Sequence, residues 1–433
     1  MEENRTLNFV YEWIGPTGAI TNNRIPTVID LALSLAETEF KNTGKHDLVQ
    51  TPHFCNRFYN YNLIPSCKIP DGKFLYELNF HNYHYRDIER AFHYSDGLLA
   101  NNNIHHNVIE RVRMGDGFFL LTLLFEGFVH ARFLHLMTEY FRRHRIPLSQ
   151  IVYVTNSFNG NEMYARFCKD SGNTPEIQVE YFPVFRIDKS DVNEILNEKI
   201  DYVPGKRNRL FLCFNRRYSE HRVLLFLAMD KLNLVDKSYI SMDAKRPEGN
   251  ENFIEFSQGA IRNFPALSFQ ENDIERSSRK LPLILDSNNF SSYPMENHFS
   301  SVKRFFDDSY INLVTETYFF NDIIHITEKT YKPIAYKQPF ILIAAPNSLK
   351  HVKEMGFKTF DLWWDESYDQ ICDHVERFKK IVDIIQMISQ WNEEQLIQFT
   401  VEAKDILEYN ANHLNTMENK EIIDFTNKYG NIT

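Results

Sequence analysis

Residues 311–333, INLVTETYFFNDIIHITEKTYKP, decide how the chain folds. They open on a largely apolar run, interrupted by Asn312 and ending at Thr315 and Glu316, the composition of a strand buried on both faces. After an aromatic loop, Thr327-Glu328-Lys329 opens a helix expected over about residues 327–336, with a threonine cap and an acid in the first turn. A second apolar strand, residues 340–344, follows Pro339. Strand, helix, strand at this spacing is a βαβ unit, and βαβ units build parallel sheets. Pro333 falls inside the helical pattern and lacks an N–H, so the helix is expected to start nearer Tyr331.

The same alternation extends in both directions. Residues 209–214 read as a strand, 220–232 as a helix, 239–242 as a strand and 349–355 as a helix. Residues 243–292 are polar and hard to read, apart from a short apolar run at 281–285. In the first half, 73–80, 118–125, 151–155 and 177–182 read as strands, and 86–95, 131–145 and 161–169 as helices. The second of these helices carries Phe133, Leu136, Met137, Tyr140 and Phe141 at i, i+3, i+4 spacing. Residues 1–60 are less regular. Pro204-Gly205 punctuates a polar stretch between the halves. The expected architecture is α/β: two Rossmann-like domains facing a cleft, residues 1–190 and 205–367, joined by a linker at 191–204. A helical tail, 368–433, broken near Trp391-Asn392, is expected to pack back across the domains.

With 433 residues the chain has room for two or three domains, each with a sizeable core. Its 43% apolar and 24% charged residues are those of a folded protein, with 36 Phe and 22 Tyr making much of the core aromatic. The net charge of −10 argues against broad affinity for nucleic acid. Cys55, Cys67, Cys168, Cys213 and Cys372 form no C-x-x-C pair, which fits a reducing setting. No basic-then-apolar leader and no membrane-length apolar run stands in the sequence, so a soluble cytoplasmic protein is expected. G-x-G-x-x-G, the Walker A loop, D-x-D, H-E-x-x-H and G-x-S-x-G are all missing. His81-x-x-His84 and His105-His106 lack a third ligand nearby, so no metal and no cofactor is expected.

Two constellations carry chemistry. In residues 210–222, LFLCFNRRYSEHR, a strand ends and Arg216 and Arg217 follow at once in the turn, where open α/β sheets bind their ligands. Paired guanidiniums backed by a helix N-terminus suit a diphosphate. A solvated basic turn, with Arg222 pairing Glu220 or Asp230, would read the same way. In the opening stretch, Glu316, Thr327, Glu328, Lys329 and Lys332 combine carboxylates that bind hydroxyls with cations that bind phosphate, although a capped helix is equally satisfied with no ligand. The basic clusters at 141–145 and 206–209 are read as a helix end complementing its dipole and as the approach to the arginine turn.

Asn-Arg-Arg after the first strand of the second domain, Ile326-Thr-Glu-Lys before a helix, and Pro339-Phe together resemble the donor half of a two-Rossmann-domain (GT-B) glycosyltransferase. They are most similar to the α1,3-fucosyltransferase group. The resemblance covers roughly residues 205–390. A shorter stretch between Lys329 and Pro339, and Ala344-Ala-Pro-Asn in place of a glycine-proline end, leave the donor sugar unspecified. The resemblance implies a nucleotide-sugar co-substrate, its diphosphate held by Lys329 with Arg216 or Arg217 and its ribose by Glu328, and metal-independent, inverting transfer to a hydroxyl of a glycan or other acceptor. Such a reaction needs a base. Glu126, closing a buried strand before Gly127, is the first candidate, and Glu12, among the aromatics of residues 11–16, is the second. Transfer to hydroxymethylated DNA bases, and non-catalytic sugar or nucleotide binding on the same fold, are the alternatives.

Overall fold

The structure, a computed structural model, describes residues 5–13, 49–50, 61–65, 69, 71–79, 104, 106–123, 127, 129–188, 193–197, 200–215, 217–245, 252–285 and 298–432. The strands in chain order are β1 (Arg5–Trp13), β2 (Val49–Gln50), β3 (Tyr61–Pro65), β4 (Phe74–Asn79), β5 (Gly117–Leu123), β6 (Ile151–Thr155), β7 (Gln178–Tyr181), β8 (Arg209–Phe214), β9 (Tyr239–Ser241), β10 (Ser309–Thr315), β11 (Phe340–Ile343) and β12 (Asn431–Ile432). The chain divides into two compact units, residues 1–184 with 419–433, and residues 185–418. Each is an α/β unit around a largely parallel sheet, and the class expected from the sequence is the class observed.

In the first unit β4, β5, β6 and β7 run parallel in sequence order, and β1 lies between β4 and β3, parallel to both. The helices α1 (His106–Arg113), α2 (Ala131–Arg143) and α3 (Gly160–Asp170) pack apolar faces on this sheet. Phe133, Met137, Tyr140 and Phe141 of α2 are fully buried, as their spacing requires. β1 falls in the stretch that the sequence left irregular. Leu7, Phe9 and Val10 are buried, and Asn62 donates to Asn8 Oδ1 at 2.9 Å, so a polar residue is accommodated inside the sheet by a side-chain partner.

The second sheet is entirely parallel, in the order β11-β10-β8-β9. All seven residues of β10 and all four of β11 are buried, as expected for strands covered on both faces. The helix after β8, α4 (Glu220–Lys231), buries nine of its twelve residues. Two helices, α5 (Phe253–Asn263) and α6 (Glu271–Ser278), occupy the stretch that was hard to read. Both start in capping boxes, Asn252 with Glu255 and Gln270 with Asp273, so their signal was local and legible, but each is too short for a convincing period. Arg276 Nε at 2.8 Å, Ser277 Oγ at 2.8 Å and Lys280 Nζ at 2.9 Å converge on buried Asp230 and tie α6 to α4.

The helix after β10, α7 (Glu328–Ala335), begins at Glu328 rather than near Tyr331, because Thr327 caps it and Pro333 is tolerated inside. It is followed by α8 (Ser348–Glu354), α9 (His374–Ser389), α10 (Glu393–Glu402) and α11 (Lys404–Thr416), with the break at Trp391-Asn392 where the sequence put it. The second unit begins at Phe185, ahead of the expected linker. Ile195 belongs to its core, and Phe185, Leu196, Ile200 and Tyr202 pack against it. The C-terminal segment does not stay together. Residues up to 418 belong to the second unit, and α12 (Lys420–Tyr429) with β12 joins the first, where β12 pairs antiparallel with the start of β1 and Tyr429 donates to Glu180 at 2.6 Å. Among the described residues no helix is long and apolar enough to cross a membrane.

Candidate functional site

From β8 the chain crosses one way to β9, then returns past β8 to β10 and β11. The direction of travel reverses between β8 and β10, and in open α/β sheets ligands bind outside the carboxyl ends of the strands at such a reversal. The carboxyl ends in question are Phe214-Asn215 and Thr315-Glu316, and each is followed by a helix whose first turn faces the same edge.

Buried side chains lace these two ends together. Thr315 Oγ1 donates to Asn215 Oδ1. Arg222, in the first turn of α4, donates to the Thr315 carbonyl at 3.1 Å and, more weakly, to the Arg217 carbonyl at 3.4 Å. His221 Nε2 lies 2.9 Å from the Glu316 carbonyl, which can only accept, so this nitrogen carries the hydrogen and Nδ1 accepts from Ser219 Oγ at 3.2 Å. The ring stacks on Phe319 at 5.5 Å. Burial, reinforced by the neighbouring Arg222 charge, pushes the imidazole down to about 3, so it is neutral. Burial likewise lowers the Arg222 guanidinium.

Glu316 is fully enclosed and organises the loop into α7. Its carboxylate accepts the Thr327 N–H at 2.9 Å, the Thr327 hydroxyl at 2.7 Å and the Thr330 hydroxyl at 2.6 Å. Thr327 Oγ1 in turn caps α7 through the Lys329 N–H and receives Lys329 Nζ at 3.0 Å. The Lys329 ammonium also pairs with Glu328 at 3.0 Å, with 31% of the lysine and 21% of the glutamate side chain exposed. Burial alone would raise the Glu328 carboxyl, but Lys329 beside it and Lys332 one turn on outweigh that and hold it at about 2. The loop is fixed from below by Arg377 of α9. This buried guanidinium lies 4.4 Å from the centre of the Phe319 ring and donates to the carbonyls of Phe319 and Ile371.

The fold therefore gathers Arg217, Arg222, Glu316, Thr327, Glu328, Lys329 and Lys332 around one sheet edge. Arg217 is exposed in the turn after β8, and Arg216 lies outside the described residues. Glu316 and Arg222 serve neighbouring backbone and hydroxyl groups, whereas Glu328 and Lys329 reach solvent. Sequence reasoning missed Asn215, His221, Thr330 and Arg377, whose roles depend on partners 14 to 100 residues away. Of the two base candidates, Glu126 lies outside the described residues. Glu12 stands near the carboxyl end of β1, paired with Gln50 of β2, in the strand flanked by β3 and β4, where the first sheet in turn reverses. Buried Glu77 near the end of β4, accepting from Thr122 Oγ1 at 2.7 Å, is a further carboxylate that the sequence did not single out. A cavity of about 180 Å³, lined in part by Tyr202, Arg207, Lys303 and Thr400, lies at the opposite, amino ends of β8, β10 and β11. Among the described residues no group of three or more His, Cys, Asp or Glu is placed to hold a metal.

No family model matches the chain, and no curated protein matches it. Among solved structures it is similar to WaaG, a glycosyltransferase involved in lipopolysaccharide biosynthesis, at 11% identity and a TM-score of 0.36, covering 98% of this chain and 99% of that one. It is also similar to an α,α-trehalose-phosphate synthase (UDP-forming) from Burkholderia vietnamiensis, at 12% identity and a TM-score of 0.38, covering 98% of each chain. A third likeness is to the N-terminal domain of Candida albicans trehalose-6-phosphate phosphatase, at 8% identity and a TM-score of 0.39, covering 99% of this chain and 98% of that one.

Proposed function

We propose that the chain is a GT-B glycosyltransferase that moves a sugar from a nucleotide-sugar donor to an acceptor hydroxyl, with inversion and without a metal. The observation that carries this reading is the reversal between β8 and β10, where two helix N-termini, exposed Arg217 and the Glu328–Lys329 pair meet at one sheet edge. A departing nucleoside diphosphate gains negative charge in the transition state, and cations fixed at that edge stabilise it more as the charge grows. The Lys329–Glu328 pair reaches solvent, and a diphosphate, with more charge than one carboxylate, competes for the ammonium. Lys329 then binds the diphosphate, and the ionised Glu328 is released to accept the ribose hydroxyls. Arg222 and Glu316 hold the two strand ends in position. The base proposed to take the acceptor proton is one of the two carboxylates read from the sequence, Glu126 first and Glu12 second.

Calorimetry with a panel of nucleotide sugars and free nucleoside diphosphates tests the reading. Wild type should bind a nucleoside diphosphate and one of its sugar conjugates, and Lys329→Ala should weaken both by roughly 10- to 100-fold, the loss of one charge-assisted contact. Unchanged affinity in Lys329→Ala refutes the donor site. Binding with no transfer or hydrolysis under any condition refutes the enzymatic reading in favour of a binding protein.

A further inference from the structure

A second set of side chains, unused by the donor site, gathers around α10. Trp363 and Trp391 both pack edge-on against Phe399, at 5.1 Å and 5.5 Å, and the three rings wall an open groove of about 570 Å³. Phe399 is buried and forms the floor, while both indoles are half-exposed. The remaining lining is Glu394, Gln395, Gln398 and Glu402. Trp363 Nε1 donates to Glu402 at 3.0 Å, and Gln398 donates to the other oxygen of Glu402 at 2.9 Å, so the first indole plane is held before any ligand arrives. Gln395 gives its oxygen to the Asn392 N–H at 2.9 Å, which leaves its NH₂ as a donor into the groove. No described residue pairs with the Glu394 carboxylate.

The chemistry of the lining selects its ligand. Flat, rigid aromatic faces complement a surface that is apolar on one side, and a rim with both amide donors and carboxylate acceptors complements groups that donate and accept together. A pyranose ring has both: a C–H face and a girdle of hydroxyls. The volume falls within the range of small-ligand sites. Among the described residues no lysine or arginine lines the groove, which disfavours an anionic ligand. A quaternary ammonium needs only acceptors and a close aromatic box, and this groove is open and includes amide donors.

We propose that Trp363, Trp391, Phe399, Glu394, Gln395 and Glu402 form a binding groove for a short neutral oligosaccharide. Thr400, beside Phe399 on the same helix, lines the cavity at the amino ends of the strands, so the groove is separate from the edge formed by Asn215 and Glu316. As an anchor for a glycan acceptor the groove rests on the transfer reading, but as a saccharide site it stands without it.

The test follows the intrinsic indole fluorescence of the full chain during titration with maltopentaose, cellopentaose or chitopentaose, with tetramethylammonium as the cationic control. At least one pentasaccharide should give a saturable change with a Kd on the order of 1 mM or tighter. Trp391→Ala should weaken it about tenfold, Trp391→Phe should restore part of the loss, and the exposed Glu394→Gln should weaken it about threefold. Lys329→Ala should bind the saccharide as wild type does while its nucleotide affinity falls by the roughly 10- to 100-fold given above, which separates the two sites. No saturable change with any pentasaccharide, a response to tetramethylammonium instead, or affinity unaltered in both Trp391→Ala and Glu394→Gln overturns the proposal.

Discussion

Lowering the pH from 7 to 5 should cost the second unit about 4 kcal/mol of stability, because two histidines of its interior fold in the neutral form. His221, 2% exposed, is held at about 3 by burial, with Arg222 next in effect, and His351, 3% exposed, is held at about 3 by burial and then Arg186. Their unfolded imidazoles titrate near 6.5. Between pH 6.5 and 3 the unfolded chain binds two protons that the folded one refuses, so stability rises with pH across that window and falls on acidification. At pH 5 each histidine costs roughly 2 kcal/mol relative to pH 7, a large share of the 5–15 kcal/mol typical of a folded protein. Urea unfolding at pH 7, 6 and 5, followed by indole fluorescence, measures this directly, since Trp363, Trp364 and Trp391 all lie in the second unit. His221→Asn keeps a donor for the Glu316 carbonyl and removes one titration, so the drop should shrink to about 2 kcal/mol. A stability that changes by less than about 1 kcal/mol between pH 7 and 5, or an identical drop in His221→Asn, refutes the reasoning.

Glu316→Ala should lower the Tm by roughly 6–15 °C, because it strands the immobile Thr327 N–H in the interior and releases the cap of α7, whereas Glu316→Gln should cost less than half as much; a shift below about 2 °C by calorimetry would exclude the anchoring role. Asp230→Asn leaves Arg276 and Lys280 facing a neutral amide and should cost about 2–4 kcal/mol, read as a lowered urea midpoint, and an unchanged midpoint would contradict the network that ties α6 to α4. The Glu328 carboxyl, held at about 2 against burial by Lys329 and Lys332, contributes stability that is complete above pH 4.5 and lost as the pH falls toward 2. Lys329→Ala should raise that titration by about one unit or more in a carbon-13 NMR experiment, and an unmoved titration would show that the ion pair does not form.

Much of this was legible in the residues. β8, β10 and β11 are short apolar runs bounded by turn formers, and α4 and α7 follow at βα spacing, so element type and order were fixed by local pattern. Thr327 as a cap and the break at Trp391-Asn392 were equally local, and capping boxes at Asn252 and Gln270 carried signals that the reading passed over. β1 escaped because Asn8 interrupts its apolar face, and its partner Asn62 is far along the chain. The fate of residues 419–433 escaped for the same reason: a two-residue strand acquires meaning only against the edge of β1.

What the sequence settled by itself is the α/β grammar, the presence of a cationic turn after β8 and a Thr-Glu-Lys helix start after β10, and the absence of standard phosphate-loop and metal motifs. Only the tertiary structure decided that β8 and β10 are neighbours at a reversal of strand order, that Glu316 is a sealed anchor while Glu328 reaches solvent, and that Trp363 and Trp391 share a wall. The physical reason is that helix and strand preferences arise between residues a few positions apart. Strand order, burial and the pairing of a carboxylate with its donors arise from contacts across many tens of residues, and the same side chain caps, anchors or binds according to which neighbours the sheet delivers to it.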